Sequence, residues 1–199
     1  MMAHSLSHRR VIIVGAGHSG LATAAALRSS GFEPQKDFVI IDSAPPGQRS
    51  WATRWQSMKL RSAARHSVVR GFPFPGDEDR HPSADEMSDY LSSVEKAIGV
   101  KTVWSTRALG VNRLGDGSTL HLSTSAGEVQ TQNVVCATGA AAVPRIPGWR
   151  QELAVPGFVL HSSQYLYPAQ VPPGPQHGAG GYLRGVEVLA GMQHKTGYC

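Results

Sequence analysis

At 199 residues the chain is long enough for one substantial hydrophobic core, and 41% hydrophobic with 17% charged residues places it among soluble globular proteins rather than disordered or fibrous ones. The net charge of +5 and pI near 9.5 would suit nucleic acid, but the basic residues are scattered and no recognition motif accompanies them, so no nucleic-acid partner is expected. Cys136 and Cys199 supply neither a disulfide framework nor metal-ligand spacing, and no apolar run is long enough to cross a membrane, so the expectation is a cytoplasmic protein without metal.

The basic start followed by an apolar segment superficially looks like a secretory leader. Gly15, Gly17, His18, Ser19 and Gly20 interrupt that apolar run, which therefore reads as fold and not as address. Arg10 to Val14 is a short apolar strand of the kind buried on both faces in a parallel sheet. Gly15, Gly17 and Gly20 then complete GxGxxG at a strand-to-helix turn, with Ala16, His18 and Ser19 between them. Gly15 permits the tight turn, Gly17 lets the backbone approach a pyrophosphate, and Gly20 lets the helix pack closely on the strand. The helix from His18 to Ser30 is rich in Ala and Leu and stops at Gly31, so its first turn offers free N–H groups to a diphosphate. Phe38 to Ile41 is a second strand, and Asp42 closes it about twenty residues after the last glycine, where a carboxylate receives ribose hydroxyls. His18 reads as a solvated or locally bonded loop residue. This unit serves FAD and NAD alike.

Residues 44–79 are rich in Gly, Pro, Arg, Trp and Phe without periodicity, which predicts a long irregular excursion. Its aromatic residues Trp51, Trp55, Phe72 and Phe74 are equally suited to covering a cofactor or to forming the excursion's own core. Ser83 and Glu86 make a capping box, and Met87, Tyr90, Leu91, Val94 and Ile98 recur at helical spacing until Gly99. Three β-type runs follow, KTVWSTRALGVNRL, STLHLST and EVQTQNVVCATG, separated by turn signals. They predict a three-stranded meander whose last strand returns to the sheet centre, burying Cys136 as packing and delivering Ala137, Thr138 and Gly139 at its carboxyl end.

In order, GAGHSG, FVIID, SWATRWQSMKLRSA, GFPFPG, PSADEMSDYL, VVCATGAAAVPRIPG and PGFVLHSSQY resemble the first half of the flavin-containing monooxygenases, especially bacterial and plant-type members. The resemblance runs from Arg10 to Tyr167. Gly157, His161 and Tyr165 match the family's FxGxxxHxxxY/F/W signature, with Val155 in place of Phe. It implies an α/β fold with a Rossmann-like FAD-binding domain at residues 9–168, made of a parallel sheet with helices and a three-stranded meander insertion. Trp51 and Arg54 match a WxxR pattern that passes under the flavin, Arg61 and Ser62 stand where the family has Asn and Thr, and Ala137, Thr138 and Gly139 match its second FAD contact. His161 is implied at the junction between FAD and NADPH domains. The implied activity is FAD-dependent and NADPH-dependent insertion of one oxygen atom of O2 into a small organic substrate, with oxygen activation carried out by the flavin.

The family places a second strand and glycine turn shortly after HSSQY, and here residues 169–199 contain Gly178, Gly180 and Gly181 without a preceding apolar strand. The expectation is a chain truncated before the NADPH-binding domain, with an irregular tail, incomplete as an enzyme unless another NADPH-binding polypeptide complements it. Two other readings stand beside it: a non-catalytic dinucleotide-binding fragment or gene remnant, and an NAD(P)-binding dehydrogenase-type domain.

Overall fold

The computed structural model describes residues 9–113, 115, 119–139, 144, 160–161 and 163–171. Five strands and two α-helices occur among them: β1 (Arg9–Val14), α1 (His18–Ser29), β2 (Phe38–Ile41), α2 (Ala84–Ile98), β3 (Ala108–Arg113), β4 (Leu120–Thr124) and β5 (Gly127–Cys136). They form one sheet of order β2-β1-β5-β4-β3. β1 is parallel to both neighbours, Val11 standing opposite Phe38 on one side and Asn133 on the other, while β3, β4 and β5 are antiparallel. The α/β fold with its meander is therefore as expected from the sequence.

β5 joins the two halves of the sheet. Its first half pairs with β4 and its second with β1, and Thr131, buried at the changeover, donates its hydroxyl to Arg9 O at 2.8 Å. Side chains alternate across a strand, so Val11, Ile13, Phe38 and Ile40 face one core with the two helices, and Ile12, Val39 and Ile41 face a second. Leu122 and Val129 from the meander complete that second core. Both faces of β1 from Val11 onward and of β2 are thus covered, which is why those stretches are continuously apolar.

The run KTVWSTRALGVNRL is not one strand. Val103 bridges Ile41 at the outer edge of β2, Ser105 turns the chain with φ +55°, and only Ala108–Arg113 joins β4. β-propensity identified both pieces, but only the contacts distinguish the partners.

α2 is framed by its ends. Ser83 accepts the Glu86 N–H, the Glu86 carboxylate accepts the Ser83 N–H, and Gly99 closes the helix at φ +76°. Phe74 stacks on Tyr90 with ring centroids 4.4 Å apart, and the Tyr90 hydroxyl accepts Val69 N–H and donates to Phe72 O, each at 2.7 Å. Burial pushes the Tyr90 phenol pKa up. Among the described residues no helix is long and apolar enough to cross a membrane.

Ser83→Ala should destabilise the protein by about 1 kcal/mol in denaturant titration, the usual value of an N-cap. The Glu86 carboxyl is held below its ordinary value chiefly by the Ser83 N–H, with Arg80 adding to it. Its contribution is present above the ordinary carboxylate range and is lost as pH falls through the depressed value. Glu86→Gln should flatten that part of the acid limb of a stability–pH curve.

Candidate functional site

At the carboxyl ends of β1 and β5 three backbones come together. Gly15 has φ +113°, and a Cβ there would lie 2.3 Å from Ala137 O, while a Cβ on Gly20 would lie 1.9 Å from Gly15 O. Both glycines are required by the protein's own packing. Gly17 is different: its φ of −78° suits any residue, and a Cβ there meets nothing within 4 Å. Open space beside the middle glycine is the feature a closely approaching ligand requires. Gly17 is also the N-cap of α1, with no side-chain capping bond and no acid in the helix's own first turn, so the helix spends none of its first amides on its own side chains.

Asp42 turns back onto this loop. One carboxylate oxygen accepts Ala16 N–H at 2.7 Å and the other accepts Ala44 N–H at 2.8 Å, which fixes the group's orientation and leaves each oxygen a further lone pair. His18 Nε2 lies 3.2 Å from Ser67 O, so this nitrogen carries the proton and donates it. Ser62 and Ser67 share a hydroxyl–hydroxyl bond of 2.8 Å, which brings Ser62 within one residue of the His18 contact. His18 is thus locally bonded, as expected. Ser19 is exposed and its carbonyl accepts the Thr23 hydroxyl inside α1.

Ala137 donates its N–H to Val14 O at 2.9 Å and lies against Gly15, so the ATG segment is held beside the glycine turn; Thr138 and Gly139 follow it, both exposed, Gly139 at φ +72°. The Arg54 guanidinium lies 5.7 Å from the half-buried Trp51 ring, and its Nε is buried with no partner among the described residues. Arg61 is exposed. Of the aromatic residues left open by the sequence, Trp55 packs with fully buried Tyr165 and Phe74 packs with Tyr90, so both are core. The Tyr165 hydroxyl is buried without a partner among the described residues, and burial pushes its pKa up. Gln56 N–H donates to Leu166 O at 2.7 Å, tying the HSSQY segment to the excursion. His161 Nδ1 accepts from Ser163, while Gly157 and Val155 lie outside the described residues.

Cys136 corrects an expectation. It ends β5 exposed rather than buried, because the apolar run stops being covered at the sheet's carboxyl end; a bond with the Thr138 hydroxyl lowers its thiol pKa.

The sequence reading missed Arg49. Its side chain is 3% exposed, donates from Nη1 to Ala16 O at 3.1 Å and from Nη2 to Glu95, and lies over the Trp104 ring. Glu95 in turn accepts Thr102 N–H at 3.0 Å. A signal existed: Glu95 falls four residues after Leu91 and eight after Met87, on the apolar stripe of α2, where a carboxylate needs a buried cation.

Strand, glycine turn, helix, strand and loop-facing acid in the parallel part of the sheet define a Rossmann-like fold of the dinucleotide-binding type. Residues 12–169 match the family model described as pyridine nucleotide-disulphide oxidoreductase, and the chain belongs to that family. Among curated proteins it is 29% identical over 177 residues to the uncharacterized oxidoreductase CzcO of Bacillus velezensis, covering 89% of this chain and 50% of that one. It is 27% identical over 162 residues to the indole-3-pyruvate monooxygenase YUCCA6 of Arabidopsis thaliana, covering 77% and 38%. A solved flavin monooxygenase from Stenotrophomonas maltophilia, in mutant form, superimposes with a TM-score of 0.76 at 27% identity, covering 94% of this chain and 55% of that one. The flavin-monooxygenase resemblance is thereby borne out. The chain spans about half the length of the curated relatives it matches.

Gly17→Ala should leave the melting temperature near that of the parent, because its Cβ meets no protein atom, while weakening dinucleotide binding in a titration. Gly20→Ala should instead unfold the domain or leave it insoluble, because the clash is with backbone. Cys136 should alkylate with iodoacetamide in the native protein, as followed by peptide mass mapping; resistance until denaturation would show that it is covered.

Proposed function

We propose that this chain forms the FAD-binding part of an NADPH-dependent flavoprotein oxidoreductase of the monooxygenase type, acting on a small organic substrate. The observation that carries the reading is the open Gly17 position at the uncapped N-terminus of α1, between two glycines that the protein's own backbone requires. Those residues fit a diphosphate: the amides of the turn and first helical residues would receive its oxygens, with no side-chain cation required. Asp42, already oriented by Ala16 and Ala44, would accept ribose hydroxyls through its remaining lone pairs. Ala137, Thr138 and Gly139 would meet the cofactor from the end of β5, and Trp51, Arg54, Arg61 and Ser62 would approach it from the excursion.

When bound, the flavin supplies hydride acceptance and oxygen activation. The chain's own task is to bind, orient and exclude water. Paired Trp51 and Arg54 offer an apolar surface backed by a fixed cation, and the buried Nε of Arg54 offers a donor. The relatives named as monooxygenases support the class of reaction, and the described residues hold one glycine turn. Hydride delivery from NADPH would then depend on a second dinucleotide-binding unit, whether on the same polypeptide or a complementing one. The domain division at residue 168 and a cytoplasmic location belong to the same proposal.

The test is an absorbance spectrum of the purified protein with and without added FAD. The expected result is a yellow protein with a perturbed visible flavin band that releases FAD on denaturation. Flavin-free protein that cannot be reconstituted overturns the reading, and nicotinamide binding without flavin colour indicates a dehydrogenase-type domain instead. NADPH should bleach the bound flavin only slowly in this chain alone.

A further inference from the structure

We propose that Arg49 and Glu95 form a buried positioning pair that sets the Ala16–Gly17 peptide for its ligand; the ligand's identity as a dinucleotide rests on the function proposed above. The guanidinium is almost wholly removed from water and Glu95 nearly so, at 3% and 14% side-chain exposure. Removing two charges from water is costly, and stability alone is a weak reason for such a pair. The geometry supplies another. One arm of the guanidinium reaches Glu95, and the other takes the carbonyl of Ala16, the residue between the first two glycines. Asp42 holds the N–H of the same residue at 2.7 Å. Ala16 is therefore gripped at both its polar backbone groups by charged side chains, one from the end of β2 and one from the excursion.

The consequence falls on Gly17. In a trans peptide the C=O and the next N–H point in opposite directions. Drawing Ala16 O toward Arg49 aims the Gly17 N–H away from Arg49, so the donor's direction is set before any ligand arrives. Glu95, held by Thr102 N–H and lying on α2, anchors the guanidinium so that its second arm cannot swing, and Trp104 limits it from another side, its ring centroid 5.2 Å away. Preorganised donors of this kind lose less on binding than donors that must be ordered first. Arg49 and Glu95 are positioning residues and touch the ligand only through this peptide.

The experiment compares the parent with Arg49→Met, Arg49→Lys and the double variant Arg49→Met/Glu95→Gln, whose new amide oxygen still accepts from Thr102 N–H. Three quantities are read in each: melting temperature, the NMR order parameter of the Gly17 N–H relative to that of Ile13 in β1, and FAD affinity by fluorescence titration. Arg49→Met leaves Glu95 buried and unpaired and should melt lower. The double variant removes both charges and should recover most of the melting temperature. It should nevertheless lower the Gly17 order parameter from the rigid range of about 0.85 to below about 0.6, and bind FAD about tenfold more weakly, as loss of one charge-assisted hydrogen bond behind the loop entails. A double variant that recovers the parent's Gly17 order parameter together with its melting temperature makes the pair merely structural and overturns the proposal. Should the double variant not fold, Arg49→Lys decides: it keeps the charge beside Glu95 but lacks the rigid fork, and a parent-like Gly17 order parameter in it overturns the proposal. A parent that binds no FAD, with the Gly17 order parameter still falling in the variants, removes the cofactor reading and leaves the positioning of the peptide intact.

Discussion

Everything in the site depends on one steric constraint, the approach of three backbone segments at the end of β1. Gly15 lies so close to Ala137 O, and Gly20 so close to Gly15 O, that no side chain fits at either place. Helix α1 can therefore begin directly against the sheet, and β5 can run beside β1 to the same depth. The first turn of the helix, the end of β5 and Asp42 are thereby brought to one place. A bulkier residue at Gly20 would push the helix off the strand and separate these groups together.

Charge organisation is layered around that contact. The ligand side of the loop carries only backbone amides and the helix dipole, which suits a diphosphate. Behind the loop lies the Arg49–Glu95 pair, holding Ala16 O, while Asp42 holds the N–H of the same residue and keeps further lone pairs free. Charged side chains thus orient the backbone of the turn. The excursion from Ala44 onward, which contributes Arg49, Trp51 and Arg54, becomes a supporting wall rather than a loose insertion. It is held by Tyr90 through Val69 and Phe72, and by the HSSQY segment through Gln56 and Trp55.

Much of this was legible in the chain because it is local. Continuous apolar strands, a glycine turn, a capping box and an acid after β2 each follow from interactions within a few residues, and the structure returns them with boundaries shifted by about one residue. The readings that failed concerned exposure or partner choice. Cys136 continues an apolar run, yet its exposure depends on where coverage of the sheet ends. Val103 and Val111 lie in one β-prone run, yet one stands at the edge of β2 and the other pairs with β4. Arg49 looks like any surface arginine until α2 brings Glu95 to it across 46 residues.

The sequence by itself determined the kind of site, because glycine spacing, helix start and terminal acid are dictated by backbone sterics and the helix dipole, which act over a few residues. The tertiary structure alone decided how the loop is held: which face of the Ala16–Gly17 peptide turns outward, which aromatic residues are core, and which thiol is exposed. Those outcomes depend on contacts between segments distant in the chain, and burial of a charge becomes tolerable only where packing delivers its partner.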